Sequence, residues 1–200
     1  MQLHKRDLVD AATAILDNFG IADLTMRRLA RELCVSPGAL YWHFANKQQL
    51  LGAVADRILQ PTLQSAPTGN WREQVSGDCQ RLRDALLSHT DGAELVSASF
   101  ASGQSAAMPL VLGLLGAAAR DAGVPQPQTE LAARTIVYYT LGFTVDEQSR
   151  LQWDAAGALP AEQSVLTMER PDTFGFGLSL LIDGLAVRGS RGARQGSPLS

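Results

Sequence analysis

The chain has 200 residues, 46% hydrophobic and 18% charged, with a formal net charge of −3, which is ample material for a packed core. It holds no apolar run of the roughly 18 residues a membrane span needs, and its N-terminus lacks the apolar block of a secretory leader. Cys34 and Cys79 lack metal-ligand spacing and make no disulfide framework, so the expectation is a cytoplasmic protein without cofactor or metal.

The first helix is predicted over 3–19, where Leu8, Ala12, Ile15, Leu16 and Phe19 recur at helical spacing before the stop at Gly20. Thr25 caps a second helix in which Leu29, Ala30 and Leu33 bury one face while Arg27, Arg28 and Arg31 stay in solvent. Val35-Ser36-Pro37-Gly38 forms the turn. Ser36 is expected to cap the third helix, about 37–43, and Pro37 takes its first position, where a missing N–H costs nothing. Leu40 and Phe44 point inward, which bunches Tyr41, Trp42 and His43 on a very short rod. Three ring-bearing residues beside several cations are more than so small a core absorbs. They suit a surface lying against phosphates and base edges, although partial packing of Trp42 on the first helix stays open here. The pattern predicts a helix-turn-helix that reads duplex DNA. Residues 1–47 carry six Lys/Arg against five Asp/Glu, and 48–200 carry eleven against fifteen, so affinity for DNA would come from where the cations sit.

Asn46 caps a fourth helix with a stripe of Leu50, Leu51, Val54, Ile58 and Leu59, ended or kinked by Pro61. Residues 64–70 read as a loop, and further helices are predicted at 71–90, 92–102, 106–122, 128–152, 160–167 and 172–188. No stretch alternates apolar and polar residues as a strand would, so the class is all-α. The division reads as a head over 1–47, a linking helix over 48–63, a body over 64–188 and a disordered tail over 189–200. Residues 131–145 and 174–187 are apolar around most of the helical circumference and carry Gly142, Gly175, Gly177 and Gly184. A two-fold four-helix contact between subunits would cover them, the alternative being the core of a monomer.

Leu24-Thr25-Met26-Arg27-Arg28-Leu29-Ala30, Val35-Ser36-Pro37-Gly38-Ala39-Leu40-Tyr41-Trp42-His43-Phe44 and Asn46-Lys47-Gln48-Gln49-Leu50-Leu51 resemble the tetracycline-repressor (TetR) family of transcriptional regulators. The similarity covers residues 5–59. It extends through Trp71-Arg72, residues 85–93, Thr140-Leu141-Gly142-Phe143 and Phe174-Gly175-Phe176-Gly177-Leu178 to the tetracycline-repressor branch itself. The resemblance implies a helical head and body, a third helix in the major groove, and DNA contacts at Arg27, Pro37, Gly38, Ala39, Tyr41, Trp42, His43 and Lys47. Chemistry divides these roles. Arg27 has the fork that bonds a guanine edge. Pro37, Gly38 and Ala39 offer small apolar surface to a thymine methyl, and Tyr41, His43, Lys47 and Thr25 suit phosphates.

Members of the family that bind magnesium-tetracycline carry a His at the position of Val96, an amide at Asp78, an Arg at Phe100 and a His at Leu63. That ligand set is missing here, so neither tetracycline nor magnesium is expected. The resemblance places a cavity among Leu82, Leu86, Val96, Phe100, Met108, Leu112, Tyr139, Phe143 and Trp153, with Asp78, Tyr139 or Gln104 as polar anchors. Such a lining suits a hydrophobic effector, although core packing would also account for each residue. His4, His43 and His89 are scattered, and the adjacent Asp146 and Glu147 point about 100° apart, so no catalytic residues are expected. The reading is a homodimeric, ligand-responsive regulator of a palindromic double-stranded operator, a repressor released by a small hydrophobic inducer. An enzyme and an effector-independent DNA-binding protein are the alternatives.

Overall fold

The computed structural model describes residues 3–64, 69–164 and 172–195, and every regular element among them is helical. In order they are α1 (Lys5–Asp23), α2 (Met26–Glu32), α3 (Pro37–Tyr41), α4 (Lys47–Leu63), α5 (Trp71–Leu87), α6 (Gly92–Ala101), α7 (Met108–Asp121), α8 (Gln126–Ala155), a 3₁₀ turn (Ala161–Gln163) and α9 (Thr173–Gln195). No helix among the described residues is long and apolar enough to cross a membrane. The chain packs as two units, Met1–Gln64 with Asp84–Pro109, and Ser65–Arg83 with Leu110–Ser200. Residues 84–109 thus pack with the N-terminal helices, beyond the expected head.

In the first unit, α1 buries Leu8, Ala12, Ile15 and Leu16 as its spacing predicts, but Phe19 is 51% exposed. The reason lies next door. Gly20 takes φ +78° and breaks the helix, so the core-facing stripe ends before Phe19, whose ring instead carries the Arg28 guanidinium 3.6 Å from its centroid. The Thr25 hydroxyl caps α2 by accepting the Arg28 N–H at 3.2 Å, and the Asn46 carbonyl caps α4 by accepting the Gln49 N–H at 2.9 Å. Ser36 stands at the N-cap of α3 without a side-chain cap bond. Its own carbonyl takes the Ala39 N–H at 3.0 Å, the donor its hydroxyl would have served. The helix α3 closes at Tyr41, two residues short of the expected end, and α4 continues through Pro61 to Leu63. Leu24, Leu29, Leu40, Phe44, Leu50, Ile58 and Leu59 fill the core, and α6 adds Ala93, Leu95 and Val96.

In the second unit, α8 buries Ala133, Ile136, Val137, Thr140 and Leu141. The helix α9 opens with the Gly175 N–H bonded to the Asp172 carboxylate at 2.7 Å. It runs to Gln195, into the segment expected to be disordered; residues 196–200 lie outside the described ones. Gly189 explains the continuation. It is buried where a Cβ would collide with the Ala122 carbonyl, and Arg188 beside it donates to Gln128 at 3.2 Å. Of the helix expected at 160–167, Ala161–Gln163 form a 3₁₀ turn and the Ser164 hydroxyl donates to Asp154 at 2.9 Å; 165–171 lie outside the described residues. The apolar girdles of α8 and α9 are only partly covered. Leu131 and Tyr138 on α8, and Phe176, Leu180 and Val187 on α9, are each more than half exposed, so a monomer core does not account for them.

Candidate nucleic-acid interface

Leu40 at 0% and Phe44 at 1% exposure sit one helical turn apart and fasten α3 to the core. Between those two anchors Tyr41 and Trp42 face away, 53% and 91% exposed, while His43 is half-buried. The alternative of Trp42 packed on α1 is thereby excluded. Lys5 lies 4.9 Å above the Phe44 ring and ties the start of α1 to the same anchor. Thr25, Arg27, Pro37 and Gly38 are exposed, and Ala39, His43 and Lys47 are half-buried. Arg28 is committed elsewhere, 2.6 Å from Asp23 and stacked on Phe19. Arg27 and Arg31 form no ion pair with any described residue, which leaves them as the cations α2 displays. The result is a short rod with two exposed aromatic rings, preceded in the chain by a helix whose Arg27 and Arg31 make no ion pair among the described residues and followed by the capped start of α4. Such a set of groups can meet phosphates and base edges together.

The residues expected to line an effector cavity divide between the two units. In the first, Leu86, Val96 and Met108 are buried and Phe100 half-buried, while Gln104 is exposed, its N–H used by the Ser99 carbonyl at 3.1 Å. In the second, Asp78 and Leu82 are buried, Leu112, Tyr139 and Phe143 are half-buried, and Trp153 is 61% exposed. Tyr139, Phe143 and Phe174 form one aromatic cluster with ring centroids 5.3 to 5.9 Å apart. The Tyr139 hydroxyl donates to the Phe174 carbonyl at 2.7 Å, and its ring fits because Gly177 has no side chain. Phe174 is the member that sequence reasoning missed as a site residue; the signal was the Phe174-Gly175-Phe176-Gly177 run. Glu147 is gripped by both arms of Arg83, whose guanidinium lies 5.2 Å from the Phe174 ring centroid. That carboxylate is a structural partner rather than a proton carrier.

Asp78 is buried with one oxygen 2.5 Å from Arg81 and the other without a hydrogen-bond partner among the described residues. Burial pushes its carboxyl above the usual range, against the opposing pull of Arg81. Folding therefore makes the charged carboxylate harder to form than it is in the unfolded chain, and this part of the stability falls as pH rises from the ordinary carboxylate range through the raised one. Asp78→Asn is expected to raise the thermal midpoint at pH 7. The gain should vanish below the ordinary carboxylate range, where the acid is protonated in folded and unfolded chains alike. Circular-dichroism melts across pH check this, and a gain that persists in acid would refute burial as its cause.

This architecture, an exposed reading rod on a helix-turn-helix head followed by a helical body, defines a DNA-binding regulator. The profile of bacterial regulatory proteins of the tetR family matches residues 8–54, and that of the tetracyclin repressor-like C-terminal domain matches 63–163. The tetracycline repressor protein class A from transposon 1721 of Escherichia coli is 32% identical, over 98% of each chain. The crystal structure of Mycobacterium smegmatis BioQ superposes with a TM-score of 0.86 at 64% identity, covering 94% of this chain and 100% of that one. A structure of BioQ with its natural double-stranded DNA operator superposes with a TM-score of 0.82 at 62% identity, covering 92% and 99%. The chain belongs to the tetR family of bacterial regulatory proteins, which are transcriptional regulators and not enzymes.

Proposed function

We propose that the chain is a homodimeric cytoplasmic repressor that holds a palindromic operator through two copies of α3 and is released by a small hydrophobic effector. The observation that carries this reading is the pair Tyr41 and Trp42, turned outward between two fully buried anchors. Displaying two such rings does nothing for a core, whereas bases and sugars offer both an apolar face and hydrogen-bonding edges. Arg27 is assigned to a guanine edge, and Pro37, Gly38 and Ala39 to the closest approach. Thr25, Tyr41, His43 and Lys47 are assigned to phosphates, and Trp42 to the groove beside them. The BioQ structure with operator DNA supports the same use of a similar chain.

Dimer contacts are assigned to the exposed apolar faces of α8 and α9; successive major grooves require two reading rods about 34–36 Å apart. Effector contacts are assigned to Leu112, Tyr139 and Phe143, with Asp78 as polar anchor. Tetracycline is not the proposed effector, because Val96, Phe100 and Leu63 supply none of the metal-chelate ligands. An effector acts by favouring one conformation of α4, with a coupling of about 1–3 kcal/mol. Selection of genomic fragments retained by the purified chain tests the reading. The expected result is a palindrome whose retention weakens steeply with salt, and indifference to sequence would overturn it.

A further inference from the structure

The segment joining α6 to α7 is held by two residues of α4, one helical turn apart on the same face. Asp56 Oδ1 accepts the Ser105 hydroxyl at 2.7 Å and the Ala107 N–H at 2.8 Å. Ser105 Oγ in turn accepts the N–H of Met108, the first residue of α7, at 3.1 Å. One turn earlier on α4, Gly52 is buried against the Gln104 carbonyl, and any side chain there would collide with it. The first N–H groups of a helix have no intrahelical acceptor and are normally capped by the residue just before them. Here the capping hydroxyl is itself hydrogen-bonded to a carboxylate 49 positions earlier in the chain. Ser105, Ala107 and Met108 are all buried, so water cannot readily take the place of Asp56.

We infer that Asp56 is a positioning residue that couples α4, and with it the reading rod, to the first turn of α7. The inference rests on the DNA-binding reading above and names the contact through which occupancy of the head is felt at residues 105–108. Because coupling is reciprocal, a displacement of the first turn of α7 shifts α4 as DNA binding restrains that turn. No covalent or ionic strap is needed, since the charged acceptor makes both bonds stronger than neutral ones.

The test is hydrogen–deuterium exchange of the full-length chain, free and bound to the duplex recovered by fragment selection. In the wild-type chain, bound duplex should slow exchange of the Ala107 and Met108 amides several-fold. In Asp56→Ala the duplex should leave them unchanged, and Asp56→Asn, which retains an oxygen acceptor, should restore the response. Ser105→Ala removes the hydroxyl link between Asp56 and Met108 without touching α4 and leaves the Ala107 N–H on Asp56, so the response should be lost at Met108 and kept at Ala107. This covers the case of an Asp56→Ala chain that does not fold, and a Met108 response that persists in Ser105→Ala overturns the coupling. Wild-type chain that binds duplex with no change at 107–108, or Asp56→Ala that keeps the change, overturns the coupling alone. Wild-type chain that retains no duplex overturns the DNA reading and this inference with it.

Discussion

Arg27→Ala and Tyr41→Ala are each expected to lower operator affinity by roughly 10- to 100-fold at fixed salt, the scale of about 1–3 kcal/mol for one well-made contact. Neither change should alter the helical spectrum. Tyr41 is 53% exposed, and Arg27 makes no ion pair with a described residue, so each side chain can be removed without opening a cavity or orphaning a partner. Arg28 is the internal control. Its guanidinium is engaged by Asp23 and Phe19, so Arg28→Ala should lower the melting midpoint more than it lowers affinity. Titration of a labelled operator duplex, alongside circular dichroism of each variant, measures both quantities. Affinities of Arg27→Ala and Tyr41→Ala equal to that of the parent chain would remove α2 and α3 from the DNA surface.

What was legible in the sequence was what depends on neighbours within one turn. Leu40 and Phe44 declared themselves by spacing, and their burial forces Tyr41 and Trp42 outward, so the reading rod followed from residues 37–44 alone. Thr25 and Asn46 were equally local, since a cap needs only the next three residues. Phe19 was misplaced because the stripe continued through it while the backbone turned at Gly20, and the Ile21 N–H freed by that turn is satisfied by Asp91, far along the chain. Gly189 read as tail because glycine and serine there resemble a solvated terminus; only the Ala122 carbonyl it packs against makes the absence of a side chain useful. The same holds for Asp56 and Ser105, whose residue types are unremarkable until the fold brings them together. Residues 84–109 gave no local sign that they pack with the N-terminal helices. Non-local partners leave no periodic trace.

Leu180→Glu is expected to convert a dimer into monomers at micromolar concentration and to abolish retention on a palindromic operator. On α9, Phe176, Leu180 and Val187 lie at intervals of four and seven residues, and on α8, Leu131 and Tyr138 lie seven apart, so each set shares one face of its helix. Gly184 falls between Leu180 and Val187, and Gly142 one turn beyond Tyr138. Among the described residues a Cβ at either would meet nothing within 4 Å, so these are places where a second backbone could approach closely. A charged rim borders the face at Asp183, which Arg72 holds at 2.9 Å. A carboxylate at position 180 would be buried without a cation in the proposed seam, at a cost of several kcal/mol counted twice across a two-fold axis. The chain itself should keep its helical spectrum, because Leu180 is 59% exposed within it. Sedimentation velocity reads the assembly and operator titration reads the consequence, since a lone head meets only half of the site. A Leu180→Glu chain that sediments as a dimer and still holds the palindrome would show that the two copies meet through some other surface.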